Sequence, residues 1–215
     1  GVLVNIKVAA CYVYPLKSGA ALQVEKLNIT DRGPEGDRSW MLVRDGGPNT
    51  GRFVTQRDRG CEKLALVQTV DQGDSLMEFK VPNGETIVVG DENLSPYDVN
   101  VEVWGDKLSV LNAGDEAALW FSDYMQQRCR LVKISDDFAR YTDPLYSTKG
   151  DQVSLADGFP LHVTNVKSLV AIQKFIPPGV TIGMERFRPN IVLDGLPAFK
   201  EDVVHEVKIS DVVLE

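Results

Sequence analysis

Short apolar alternations, broken every few residues by Gly, Pro or Asn, run through most of this 215-residue chain, and that rhythm favours strands over helices. Val2, Val4, Ile6 and Val8 alternate with Leu3, Asn5 and Lys7, the period of two that a half-buried strand needs. Further strands are expected at Trp40 to Val43, Leu64 to Thr69, Leu76 to Val81, Thr86 to Val89 and Val99 to Trp104. The remaining ones fall at Leu108 to Leu111, Leu131 to Ile134, Ile191 to Leu193, Val203 to Ile209 and Val212 to Leu214. Turn chemistry separates them at Asp45-Gly46-Gly47-Pro48, Pro82-Asn83-Gly84, Trp104-Gly105-Asp106 and Asp194-Gly195-Leu196-Pro197. Many short strands at close spacing imply an antiparallel sandwich or barrel rather than a doubly wound sheet.

Two segments depart from that rhythm. Ala117, Phe121, Tyr124, Met125 and Cys129 recur at intervals of three and four, which predicts one face of a helix. Asp115 and Glu116 would sit in its first turn and Arg128 and Arg130 near its last, complementing the helix dipole. A second helix is expected from about Thr164 to Phe175, with Val166, Leu169, Val170 and Gln173 as its stripe. Thr164 or Asn165 can cap its start, and Pro177-Pro178-Gly179 stops it. The polar stretch Ser135 to Gln152 reads as a linker or mobile loop, which places a boundary between halves near its start. The fold class that follows is mainly β with a few helices, in two parts, 1–135 and 136–215.

Composition narrows the functions open to such a chain. A hydrophobic fraction of 43% supports a real core and rules out global disorder. The formal net charge of -8 disfavours sequence-independent nucleic-acid binding and anionic membrane surfaces. An anionic ligand must therefore be caught by a local basic cluster working against the global field. Cys11, Cys61 and Cys129 are too few and too scattered for a disulfide framework and fit a reducing compartment, here expected to be the cytoplasm. No apolar run approaches a membrane span, and the amino terminus has no signal-peptide pattern. Gly1 in place of Met suggests a processed or trimmed start, and Leu214-Glu215 resembles a cloning junction.

Familiar catalytic signatures are missing from the sequence: no phosphate-binding Gly-rich motif, no HExxH, no GxSxG. His162 follows Leu161 in an apolar stretch and reads as a buried neutral histidine; His205 reads as a surface or edge residue on a strand. Glu201 and Asp202, adjacent on a strand, would point to opposite faces and not act as a pair. What stands out is a set of basic residues beside turns: Lys17-Ser18 in YPLKSG, Arg38 in GDRSW, Arg57 in VTQR, and Arg188 with Asn190 in FRPN. Lysine, arginines, a hydroxyl and loop amides make a receptor for phosphate and polar heterocycle edges, because the guanidinium fork binds phosphate through two bonds. The alternative is that these cations pair with nearby carboxylates, Arg38 with Asp37 for example.

At these same residues the sequence resembles a known family. YPLKSG, GPEGDRSWMLV, FVTQR, VEVWGD, LADGFPLHV and RFRPNIVLDG followed by FKED occur in the order seen in MOSC-domain proteins, and the resemblance runs from about Val8 to Val213. It implies an N-terminal MOSC β-barrel domain followed by an incomplete MOSC β-barrel domain. In the amidoxime-reducing branch of the family it further implies molybdenum cofactor held between the two and reduction of N-hydroxylated compounds. An iron–sulfur or flavin reductase would supply the electrons, to a protein expected to be a monomer. Carried over by motif, Lys17, Ser18, Arg38, Arg57, Arg188 and Asn190 would bind the cofactor. Gly158 and Phe159 fall where some members place Thr-Ser, so only their backbone could contribute. The family's metal-ligating cysteine follows the strand matching Val207 to Leu214, so the chain is expected to stop short of it. That departure opens a second expectation, a non-catalytic cofactor-holding or sulfur-carrier module. Its reactive thiol would be Cys61, near Arg57, Arg59 and Lys63.

Overall fold

A computed structural model describes residues 5–135, 138–141 and 150–214 of the chain. Most of the expected Ser135–Gln152 loop, and Val2 and Val4 of the first alternation, lie outside the described residues. The described residues form seventeen short strands and two α-helices, so the fold is mainly β.

Two four-stranded sheets organise the molecule. In the first, the order is Val163–Asn165, Ile191–Asp194, Lys7–Val13, Leu22–Val24. Lys7–Val13 runs antiparallel to Ile191–Asp194, with Cys11 opposite Ile191 and Lys7 opposite Asp194, and an irregularity between Val8 and Ala10. Val163–Asn165 lies parallel to the far side of Ile191–Asp194. The beginning of the chain is thereby bonded to its last quarter. The second sheet runs Trp40–Arg44, Cys129–Ile134, Val110–Asn112, Ser95–Pro96, and a three-stranded meander of Gln68–Gly73, Leu76–Lys80 and Thr86–Val89 packs beside it.

The unbroken apolar run Trp40-Met41-Leu42-Val43 is explained by burial on both faces. Trp40 and Leu42 enter one core with Phe79, Phe121, Met125 and Leu131. Met41 and Val43 enter another with Phe53, Val101, Val132 and Leu155. Helix α1 (Gly114–Met125) closes the first core through Ala117, Phe121 and Met125. Phe79 meets Trp40 and Phe121 edge-on at 5.5 and 5.4 Å between ring centres. Fully burying each such side chain contributes roughly 1.5–3 kcal/mol.

Several elements differ from the sequence expectation. α1 ends at Met125 because Gln126 turns left-handed (φ 54°), so Cys129 begins the Cys129–Ile134 strand instead of lying on a helix face. Arg128 and Arg130 are consequently outside the last helical turn, and Arg130 pairs with Asp45 and Asp115. Helix α2 (Val166–Gln173) is capped by Asn165, whose side chain accepts from Lys167 N, but its buried residue is Ser168, and Val170 is exposed. Leu64 lies in a 3-10 turn, Glu62–Leu66, ahead of its strand. Leu108 to Leu111 splits into Asp106–Leu108 and Val110–Asn112. Val203 to Ile209 splits into the turn Lys200–Val203, which also takes Glu201 and Asp202 off any strand, and Val207–Ile209. Among the described residues no helix is long and apolar enough to cross a membrane.

Candidate functional site

Tyr14 organises one wall of a hollow. It follows directly on the Lys7–Val13 strand and is 1% exposed, and its hydroxyl donates to Pro189 O at 3.1 Å. The guanidinium carbons of Arg38 and Arg188 each lie 4.3 Å from the centre of its ring. Such stacking on an aromatic face is favourable for a cation, more so when it is shielded from water. Burial pushes the Tyr14 phenol up to about 12, with the two arginines acting in the opposite direction.

The backbone holds these cations in an unusual conformation. Ser18 (φ 66°), Arg38 (φ 44°) and Arg188 (φ 54°) are all left-handed without being glycine. Residues in such sparsely populated conformations persist only where surrounding bonds fix them, and they cluster at binding sites. Here Lys17 N donates to Trp40 O at 2.8 Å, Arg38 N to Tyr14 O at 2.7 Å, and Arg188 N to Glu185 O at 3.1 Å.

Behind Arg38 lies Asp37, whose side chain has no exposed surface. It accepts from Tyr14 N (2.9 Å), Asn190 Nδ2 (3.1 Å) and Arg38 Nη1 (2.6 Å). Burial raises its pKa, and Arg38 opposes that rise. Arg188 has no such partner. Its Nη1 donates to Gly19 O at 2.7 Å, while its Nη2 is buried with no hydrogen-bond partner among the described residues. Burial, and then the neighbouring Arg38 charge, push its pKa down to about 10.

A second wall is built around Asp157. Lys17, 4% exposed, donates from Nζ to Leu155 O at 2.6 Å and to Asp157 Oδ1 at 2.7 Å. Arg57 donates to Asp157 Oδ2 at 3.0 Å and Trp104 Nε1 to Oδ1 at 3.2 Å. Burial lowers the Lys17 pKa against the pull of Asp157. For Asp157 itself, burial works upward but Lys17, Trp104 and Arg57 outweigh it and bring the carboxyl down to about 2.

Between the walls is a hollow of about 340 Å³. It brings together all eight residues singled out in the sequence: Lys17, Ser18, Arg38, Arg57, Gly158, Phe159, Arg188 and Asn190. The pairing alternative also holds, since Arg38 is bonded to Asp37 and Lys17 and Arg57 to Asp157. Among the described residues, four cations against two carboxylates leave the site positive, in a chain of net charge -8. The arrangement suits an anion.

Two histidine expectations need correction. His162 is not buried: it is exposed and lines the hollow, because on the strand approach Leu161 and Val163 take the core-facing positions. His205 is at the surface, but in a bend ahead of Val207–Ile209 rather than on a strand. The Cys61 expectation fails as well: it is 0% exposed inside the first core, where its Sγ accepts from Gln127 Nε2. Burial pushes the Cys129 thiol up to about 11 and raises that of Cys11. No cysteine is among the residues lining the hollow, and among the described residues no cluster of His, Cys, Asp and Glu could hold a metal ion.

Sequence reasoning missed Tyr14, Asp157 and Arg140. Arg140 is 6% exposed, pairs with Asp106 at 2.7 Å and donates to the carbonyls of Ser154, Ala156 and Asp157, fixing the segment that carries Asp157. The signal for Asp157 was its place beside Gly158 in the LADGFP motif; nothing local marked Arg140.

Comparison with known proteins gives two family matches: the MOSC N-terminal beta barrel domain over residues 5–128 and the MOSC domain over residues 150–215. Mitochondrial amidoxime reducing component 2 of Rattus norvegicus is 31% identical over 97% of this chain and 62% of its own length. The Homo sapiens protein of that name is 28% identical over 95% of this chain and 61% of its own. Molybdenum cofactor sulfurase of Homo sapiens is 27% identical over 93% of this chain and 24% of its own. The chain thus spans about three fifths of the length of the amidoxime reducing relatives.

Proposed function

The chain belongs to the MOSC family, and from that premise we propose that its hollow holds the phosphorylated pterin of molybdenum cofactor in a protein that reduces N-hydroxylated compounds. The observation that carries this reading is Arg188. A buried guanidinium nitrogen without a partner costs stability unless an acceptor arrives. That guanidinium belongs to a residue lining a hollow whose other cations are only partly neutralised.

In this reading Arg188 and Arg38 grip the phosphate, their planes set by the Tyr14 ring. Ser18 meets it from the YPLKSG turn and the Gly158-Phe159 backbone meets polar edges of the pterin, while Lys17, bonded to Asp157, and Asn190, bonded to Asp37, hold the lining in place. Each charge-assisted bond contributes roughly 1.5–3 kcal/mol. Residues 1–135 and 136–215 are proposed as the two halves between which the group lies, each supplying four of the eight residues. When bound, the group supplies two-electron transfer at its metal. The lining side chains offer phosphate and ring contacts and no thiolate, so they fit the organic part of the group. An iron–sulfur or flavin reductase is the proposed electron donor, and a small N-oxygenated molecule the substrate. The sulfur-carrier alternative loses its nucleophile with Cys61 in the core.

The test is cofactor content. In the whole protein, Arg188→Ala is expected to lose most bound pterin and molybdenum while its far-ultraviolet circular dichroism stays that of the parent. Stoichiometric cofactor in the variant would count against the proposal.

A further inference from the structure

The cations lining the hollow fall into two pairs with unlike partners. In one, Arg38 and Arg188 share the Tyr14 ring, and the buried Arg188 Nη2 has no partner among the described residues. In the other, Lys17 and Arg57 already share an anion, the Asp157 carboxylate. We propose that Asp157 is a specificity-determining residue of this site: its carboxylate occupies the Lys17–Arg57 pair, so that the hollow admits one phosphoryl group and turns away diphosphates. This rests on the anion-holding role given to the hollow above.

Three observations support it. Both oxygens of the carboxylate are committed, Oδ1 to Lys17 Nζ and Trp104 Nε1, Oδ2 to Arg57 Nη2. Its position is built rather than incidental. The Asp157 carbonyl accepts from Arg140 Nη2 at 3.2 Å, and the preceding Leu155 carbonyl from Lys17 Nζ. Trp104, held left-handed at φ 52° and set edge-on to Phe53 at 5.1 Å, reaches across from the other half. Finally, with its pKa near 2 the group carries full charge throughout the neutral range.

The consequence is a charge limit. With Asp37 and Asp157 in place, the four cations retain an excess that matches one phosphate monoester, which carries about −1.5 to −2 at pH 7. A second phosphoryl group would have to reach Lys17 and Arg57, where it meets a fixed like charge.

Isothermal titration with inorganic phosphate and with inorganic pyrophosphate, at fixed ionic strength, tests this on the wild-type chain and on Asp157→Asn. The amide keeps an oxygen for Lys17 and removes the charge. Asp157→Ser is a second variant, and thermal melts verify that both are folded. The expected result is that wild type binds pyrophosphate no more tightly than phosphate. Both variants should gain on pyrophosphate at least about ten-fold more than on phosphate. Equal gains on the two ligands, or no gain, would overturn the proposal and leave the anion-holding reading standing. Failure of wild type and of both variants to bind either anion would overturn that reading, and this proposal with it.

Discussion

Asp37 has no exposed side-chain surface, and its carboxylate is held by Tyr14 N, Asn190 Nδ2 and Arg38, which all face it. Arg38→Ala is therefore expected to cost stability as well as ligand. Removing one partner of a buried ion pair costs about 3–5 kcal/mol, here toward the lower figure because two hydrogen bonds remain. A carboxyl whose folded pKa is raised favours the fold at low pH, and that contribution is lost as pH rises through the folded value. Without Arg38 the rise is larger, so the stability deficit of Arg38→Ala should shrink as pH falls below neutral, read from urea midpoints. Arg188 is the opposite case. A base whose pKa is pushed down to about 10 burdens the fold with its charge at neutral pH, and relief comes only as pH rises through that value. Arg188→Met is therefore expected to stabilise the ligand-free chain, by about 1 kcal/mol, while abolishing anion binding. A destabilised variant would mean that the stack on Tyr14 outweighs the missing partner.

The elements around the hollow respond unequally to small changes. Gly33, in the Gly33–Pro34 strand, has φ +102°, and a Cβ there would lie 2.4 Å from Pro160 O. Gly33→Ala should thus push against the segment carrying Asp157 to Phe159, lower the thermal midpoint and weaken anion binding, although Gly33 does not line the site. Gly158 is free of this constraint: a Cβ meets nothing within 4 Å. Gly158→Thr should change stability by no more than about 0.5 kcal/mol and add a hydroxyl to the hollow, measured by the same melts and titrations. Elements were legible where alternation and turn residues agree, as at Leu76–Lys80 and Thr86–Val89 with Pro82-Asn83-Gly84 between them. The end of α1 was not, because Gln126 takes the left-handed position where Gly or Asn would have announced it. His162 was misread from its apolar neighbours, when the period of two that places Leu161 and Val163 in the core turns it outward.

At the scale of the whole molecule, the site exists because the two ends of the chain meet. Tyr14 bonds Pro189, Arg188 bonds Gly19, and the strands at Lys7–Val13 and Ile191–Asp194 run side by side. Each basic turn was readable by itself, but their convergence was not, since no local pattern encodes a pairing across some 180 positions. Their order along the chain, matched to a family, supplied what periodicity could not. A ligand bridging walls so distant in sequence binds only the folded chain, so it should raise the global unfolding midpoint, by about 2.7 kcal/mol at a hundred times its Kd. The most direct measurement is the affinity of this chain for a pterin bearing a phosphate monoester, compared with the same pterin without it, followed by pterin fluorescence. The account predicts that the phosphate tightens binding by at least about a hundred-fold, from two charge-assisted contacts, and that Arg188→Ala cuts the difference by at least about ten-fold. Equal affinity for the two pterins would contradict it.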